Sequence, residues 1–277
     1  MSGQPDRRYT VADLVYLMER LRCPDSGCPW DIQQTFDSIA PHTLEEAYEV
    51  VDCIERGDLA HLREELGDLL FQVVYHSRMA REQALFEFDD VVNDLVAKLV
   101  ARHPHVFPEG DLAASFPAGS SGARRVRENW EEAKARERAE KASSDRSALA
   151  DVPAGLAALS RAQKLQKRAS RVGFDWSEAR GVLDKIEEEA AELREALDRG
   201  DHNAVAYELG DLIFTCVNLA RHLDVDAETA TRKAAQKFER RFRAMETMLA
   251  EAGLRIADQD EKALEDWWQK GKQHAGQ

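Results

Sequence analysis

From residue 59 the apolar positions fall as Leu59, Leu62, Leu66, Leu69, Leu70, Val73 and Val74. At 3.6 residues per turn they form one stripe along a helix. A second run, Leu209, Leu212, Ile213, Cys216, Val217, Leu219 and Ala220, has the same period. The polar punctuation between apolar runs agrees with helices. Thr43, with Glu46 three residues later, reads as a capping box that opens a helix running to about Ile54. Gly57 then ends that helix and Asp58 can cap the next one. No stretch shows the strict alternation of a half-buried strand. The pattern predicts an all-α fold of antiparallel helix pairs, each pair joined by a tight turn.

The pattern also occurs twice. The stretch 45-EEAYEVVDCIERGDLAHLREELGDLLF-71 aligns without a gap on 188-EEAAELREALDRGDHNAVAYELGDLIF-214, every position 143 residues on. The flanks repeat in slightly shifted register. Trp30 and Asp31 of CPWD answer to 173-GFDW-176, Lys98-x3-Arg102 to Lys237-x3-Arg241, and Trp130-x3-Lys134 to Trp268-x3-Lys272. Each copy fills about half the chain, and 142-ASSDRSALADVPAG-155 has the small, polar composition of a linker. Two domains are therefore expected, residues 1–145 and 146–277. A further loop, 108–123, has no equally long counterpart in the second copy.

Composition narrows the class of partner. The 277 residues hold 38 Lys and Arg against 52 Asp and Glu, a formal charge of −14 that repels nucleic-acid backbones and anionic membranes. The N-terminus carries no apolar leader, and no apolar run approaches the ~18 residues of a membrane span. The chain reads as a soluble cytoplasmic protein with no nucleic-acid or membrane partner. Cys23, Cys28, Cys53 and Cys216 include no second pair or nearby histidine to complete a zinc set, and read as reduced thiols.

The repeated acids carry the chemistry. Residues three apart share a helix face, so Glu46 and Glu49 can point at one spot, as can Glu65 and Asp68 on the facing helix. Glu189, Glu192, Glu208 and Asp211 offer the same set in the second copy. Four facing carboxylates repel one another unless cations neutralise them, and an all-oxygen donor set suits Mg²⁺ or Mn²⁺. A solvated acidic face is the plainer reading of a single E-x-x-E. It does not account for acids and the Gly67/Gly210 pair recurring in register while neighbours such as His61 and Ala204 drift. A di-iron centre needs E-x-x-H, and none of the eight histidines has a Glu three positions earlier. His103 and His105 in RHPHVF read as structural or surface residues, with contact to a substrate as the alternative.

The motif E-E-x-x-E, sixteen residues, E-x-x-D, present twice, resembles the MazG-type nucleoside triphosphate pyrophosphohydrolases of the all-α NTP pyrophosphatase superfamily. The words 28-CPWD-31, 41-PHTLEEAYEV-50, 64-EELGDLLFQVV-74, 102-RHPHVF-107, 163-QKLQKRA-169, 173-GFDW-176, 207-YELGDLIF-214 and 237-KFERRF-242 extend the resemblance over nearly the whole chain. It implies two tandem MazG-type helical bundles, a homodimer, and Mg²⁺-dependent hydrolysis of broad NTP and dNTP substrates to the monophosphate and pyrophosphate. It also implies that the C-terminal domain is the main catalytic one.

For that reaction a water must attack the α-phosphorus while pyrophosphate leaves, and the protein's tasks are positioning and charge stabilisation. Glu188 and Glu45, each on the helix edge beside the ligand pair, are the candidate bases. The resemblance carries nucleotide contacts onto Lys185, Lys237, Arg241, Trp268 and Lys272. Lys98, Arg102, Trp130 and Lys134 repeat most of that spacing in the first copy. Lys185 aligns with His42, so the first copy lacks one candidate triphosphate contact. The competing reading is a non-catalytic nucleotide-binding or regulatory helical dimer, suggested by the charged segment 124–142.

Overall fold

The computed structural model describes residues 8–113, 130 and 147–274, and among these there are helices, turns and no strand. The chain divides into two compact units, residues 1–141 and 142–277. In the first unit the helices are α1 (Val11–Leu21), α2 (Pro29–Gln33), α3 (Phe36–Arg56), α4 (Leu59–Glu82) and α5 (Phe88–Arg102). In the second they are α6 (Ala158–Ser170), α7 (Ala179–Arg199), α8 (His202–His222), α9 (Ala227–Glu251) and α10 (Glu261–His274). The main pairs are α3 on α4 and α7 on α8; α1 lies on α4 as α6 lies on α8.

The turns between paired helices are alike. Gly57 and Gly200 adopt φ of 70° and 68°, the left-handed region that closes a helix without a Cβ clash. Asp58 N donates to Cys53 O and Gly57 N to Ile54 O, and Asp201 and Gly200 repeat both bonds with Ala196 and Leu197. The Asp58 carboxylate then accepts from His61 N, and that of Asp201 from Asn203 N and Ala204 N. The Arg-Gly-Asp words therefore fold as the sequence predicts.

The expected start of α3 needs correction. The helix begins at Phe36, where Thr35 and Ser38 form the capping box: Thr35 N donates to Ser38 Oγ at 2.9 Å and Ser38 N to Thr35 Oγ1 at 3.3 Å. Thr43 is two turns inside, its hydroxyl bonded back to Ile39 O and in contact with His76 Nε2 at 2.9 Å. The helix runs through Pro41, which removes only the bond to Asp37 O in the first turns, where few bonds are at stake.

The first unit's core gathers Met18, Ile39, Val74, Tyr75 and Met79. Tyr75 donates its hydroxyl to Asp31 O and Oδ1, and burial pushes its pKa up to about 12. Arg22, 8 % exposed, donates to Glu82 and to the carbonyls of Asp31 and Gln34, tying α1 and α2 to the end of α4. The second unit buries Val182, Ala196, Val217, Ala227, Met245 and Leu249. A Cβ on Gly271 would stand 2.9 Å from Arg241 O, so that glycine lets α10 close on α9.

The Leu stripe of α4 is only partly covered. Val74 is buried, whereas Leu59, Leu66, Leu70 and Val73 are exposed, as are Leu209, Ile213 and Phe214 on α8. No described helix is long and apolar enough to cross a membrane.

Candidate active site

Because α3 and α4 turn back on one another at Gly57, their acidic faces meet. Carboxylate oxygens of Glu46, Glu49 and Glu65 lie within 4.8 Å of one another. In the second unit the same distance encloses Glu189, Glu208 and Asp211. Two of the three members correspond by the 143-residue register, Glu46 with Glu189 and Glu65 with Glu208. The third differs: Glu49 joins in one unit and Asp211 in the other, leaving Asp68 and Glu192 outside.

The outer carboxylates still act on their neighbours. Desolvation, then Asp68 and Glu49, raise the pKa of Glu46; desolvation, then Glu49 and Asp68, raise that of Glu65. Glu192 is raised by desolvation, with Lys185 opposing and Glu189 and Glu208 adding to the shift. Like charges crowded together favour the proton-bound form. Oxygens around Mg²⁺ stand about 4.2 Å apart when opposite, from a metal–oxygen distance of about 2.1 Å. Three carboxylates with oxygens within 4.8 Å of one another offer an all-oxygen donor set of the kind that suits such a cation.

The units also differ at the residue three before the candidate base. Lys185 Nζ lies 2.8 Å from Glu188 Oε1 and 2.9 Å from Glu189 Oε1, and these bonds raise its pKa so that it stays an ammonium. In the first unit His42 Nδ1 lies 3.4 Å from Glu45 Oε2. Glu188 and Glu45 are both exposed beside their clusters, while Glu189 is 5 % exposed.

The remaining candidates sit on α5, α9 and α10. Lys237 and Arg241 follow one another by a turn on α9; Lys237 is exposed, and the buried Arg241 Nε has no hydrogen-bond partner. The Trp268 ring packs on Phe238 at 5.4 Å, tilted by 45°, and Lys272 is half-buried one turn on. In the first unit Lys98 is exposed, and the Arg102 guanidinium lies over the Trp130 ring at 5.9 Å. Lys134 and most of segment 124–142 lie outside the described residues.

One cluster was not singled out by sequence reasoning. Asp175 of GFDW accepts from Arg221 and meets His222 Nε2 at 2.9 Å, and Arg221 also donates to the buried Asn218 Oδ1. Burial raises the Asp175 carboxyl, but bonds from Arg221 and His222 leave it below its ordinary value. The signal was the word itself, an acid between two aromatics, without its distant partners on α8.

A family model described as the MazG nucleotide pyrophosphohydrolase domain matches residues 34–107 and 178–245. The chain is 48 % identical over 263 residues to a nucleoside triphosphate pyrophosphohydrolase of Escherichia coli K12, covering 94 % of this chain and 95 % of that one. It is 42 % identical over 260 residues to the nucleoside triphosphate pyrophosphohydrolase/pyrophosphatase MazG of Thermotoga maritima, covering 94 % of each. To a nucleoside triphosphate pyrophosphohydrolase of Mycobacterium tuberculosis it is 34 % identical over 253 residues, 90 % of this chain and 62 % of that one.

Proposed function

The chain belongs to the family of MazG nucleotide pyrophosphohydrolases, and we propose that it hydrolyses nucleoside triphosphates to the monophosphate and pyrophosphate, chiefly at its second carboxylate cluster. The observation that carries the choice of cluster is Lys185. It puts a cation against Glu188 and Glu189, where the first unit has only His42.

Glu189, Glu208 and Asp211, with Glu192 at the edge, would hold Mg²⁺, or Mn²⁺ in its place; Glu46, Glu49, Glu65 and Asp68 would do so in the first unit. Bound there, such cations supply neutralisation of the carboxylates and of the charge on the triphosphate. The protein's own residues do the rest. Glu188, beside the cluster and reachable by solvent, takes the proton of the attacking water. Lys185 exchanges its carboxylate partners for phosphate oxygens, and Lys237, Arg241 and Lys272 add positive charge to which the leaving pyrophosphate can bond. Trp268, its ring tilted against Phe238, borders the nucleotide.

The first unit, residues 1–145 in this reading, would bind nucleotide more weakly through Lys98, Arg102, Trp130 and Lys134, with Glu45 as its base. The working form is a homodimer in the cytoplasm that does not engage nucleic acid; the exposed apolar faces of α4 and α8 and the charge of −14 support this. Incubation of purified protein with Mg²⁺ and a panel of NTPs and dNTPs should yield monophosphate and pyrophosphate. Orthophosphate and diphosphate as products would refute the reading.

A further inference from the structure

Two of the four cysteines share one short loop. Residues 23-CPDSGC-28 connect α1 to α2, and both thiols are free and partly accessible. The loop folds back tightly on the end of α1: Cys28 N donates to Leu21 O at 2.7 Å, and Gly27 N to Cys23 O at 2.8 Å. A Cβ on Gly27 would stand 2.3 Å from Leu21 O and 2.7 Å from Cys23 N, so only glycine admits this return. Cys28 is therefore held against the backbone from which Cys23 departs. A bridge between two thiols asks for such proximity, with Cα atoms about 4.4–6.8 Å apart.

The loop also points its donors at one sulfur. Ser26 Oγ donates to Cys23 Sγ at 3.3 Å. That hydroxyl first, then the backbone N–H groups of Asp25 and Ser26, hold the Cys23 thiol below its ordinary pKa, against desolvation and the Asp25 charge. Donors around a sulfur favour the thiolate, which is the nucleophilic form. Metal binding is the other use of paired thiols. Among the described residues, however, no group of three metal-ligating side chains includes either cysteine.

We propose that the loop 23–28 is an oxidative modification site, at which Cys23 reacts with a hydroperoxide and Cys28 resolves the product to a disulfide. The Cys23 thiolate attacks the peroxide oxygen; an S–O bond forms, the O–O bond breaks, and the leaving oxygen departs as water or an alcohol after taking a proton. Cys28 then attacks the Cys23 sulfur, so that the S–S bond forms, the S–O bond breaks, and the hydroxyl leaves as water with the proton of Cys28. Two thiols are oxidised and one hydroperoxide is reduced. The product bears on the first unit, because Cys28 caps α2, and α2 carries the Asp31 carbonyl that accepts from Arg22 and Tyr75. The site is independent of the carboxylate clusters and of the reaction assigned to them.

The test treats the folded protein with a few equivalents of hydrogen peroxide, alkylates the remaining thiols after unfolding, and follows each cysteine by peptide mass spectrometry. The peptide holding residues 23–28 should lose the hydrogens of both thiols at least about tenfold faster than exposed Cys216 is oxidised. Buried Cys53 should remain alkylatable. Cys28→Ser should stop at a sulfenic acid on Cys23 that dimedone traps, and Cys23→Ser should leave Cys28 no more reactive than Cys216. Ser26→Ala should slow the oxidation of Cys23 about threefold, since one of its donors is lost. A wild type whose Cys23 reacts no faster than Cys216 overturns the inference. So does a wild type in which dimedone captures Cys23 while Cys28 stays reduced, or in which non-reducing gels show the bridge running between two chains.

Discussion

Lys185 holds its ammonium 2.9 Å from a carboxylate oxygen of Glu189, a side chain buried in the second acidic cluster. The same nitrogen reaches Glu188 at 2.8 Å. One cation thus lies between the residue assigned to take a proton and a residue assigned to hold a metal. It repels an arriving divalent ion and competes for its oxygen. Lys185→Met should therefore bind Mg²⁺ about fivefold more tightly in calorimetry without nucleotide, the order of one screened contact between charges. The same variant should lose kcat/KM for nucleoside triphosphates, because no ammonium remains to move onto the phosphate. An unchanged Mg²⁺ affinity would separate Lys185 from the metal site.

The two clusters differ in membership, so matched substitutions report which one turns over. Glu208→Gln and Asp211→Asn remove charge from the second cluster and should lower kcat by at least about a hundredfold. Glu65→Gln, at the equivalent position of the first, should leave most of the pyrophosphate release in place. Circular dichroism should show all three equally helical, since none of these side chains packs in the core. Loss on Glu65→Gln with retention on Glu208→Gln would reverse the assignment of the working half.

Much of this arrangement was legible beforehand because its causes are local. The Arg-Gly-Asp turns, the repeat register and the carboxylate faces follow from helix period and capping within a few residues. What escaped depended on contacts across the fold. Thr43 and Glu46 satisfy a capping pattern, yet the helix starts earlier, at Thr35 and Ser38, and continues past Pro41. The clusters gather three oxygens where spacing suggested four, since how far two facing helices present Asp68 or Glu192 inward depends on their mutual packing. Gln166 Nε2 donates to Phe214 O, 48 residues on, a contact that no local pattern announces.

Acid should weaken the first unit through Glu82. Burial raises its pKa, but hydrogen bonds from Arg22 and Arg78 more than offset this, leaving it lower in the folded chain than in the unfolded one. A carboxyl depressed on folding contributes stability above its unfolded value, near 4.5, and that contribution is lost as pH falls through the folded value. Glu82→Gln should cost about 2 kcal/mol at pH 7, mostly by leaving the Arg22 guanidinium without its charged partner. The penalty should shrink in urea titrations taken below pH 4. A penalty constant from pH 7 to pH 3 would mean that Glu82 acts by shape alone.

The apolar stripes of α4 and α8 bear on assembly. Leu70 and Ile213 occupy the same register 143 residues apart, and are 38 % and 47 % exposed although each lies on a helix whose next turn is buried. Leaving such side chains half in water forgoes about 1 kcal/mol apiece, and the neighbouring Leu66, Val73, Leu209 and Phe214 repeat the cost. A second copy of the chain offers an identical stripe, so a two-fold arrangement can cover both at once. Sedimentation velocity should give the wild type twice the mass of one chain. Leu70→Arg and Ile213→Arg each place a charge where the partner's stripe would lie, and the double variant should sediment as a single chain that remains helical. A wild type that stays monomeric at micromolar concentration rules out the dimer, and a double variant that keeps the wild-type mass puts the contact on another face. Loss of Mg²⁺-dependent turnover together with the dimer would further show that one copy's cluster needs the other to hold its helices in place.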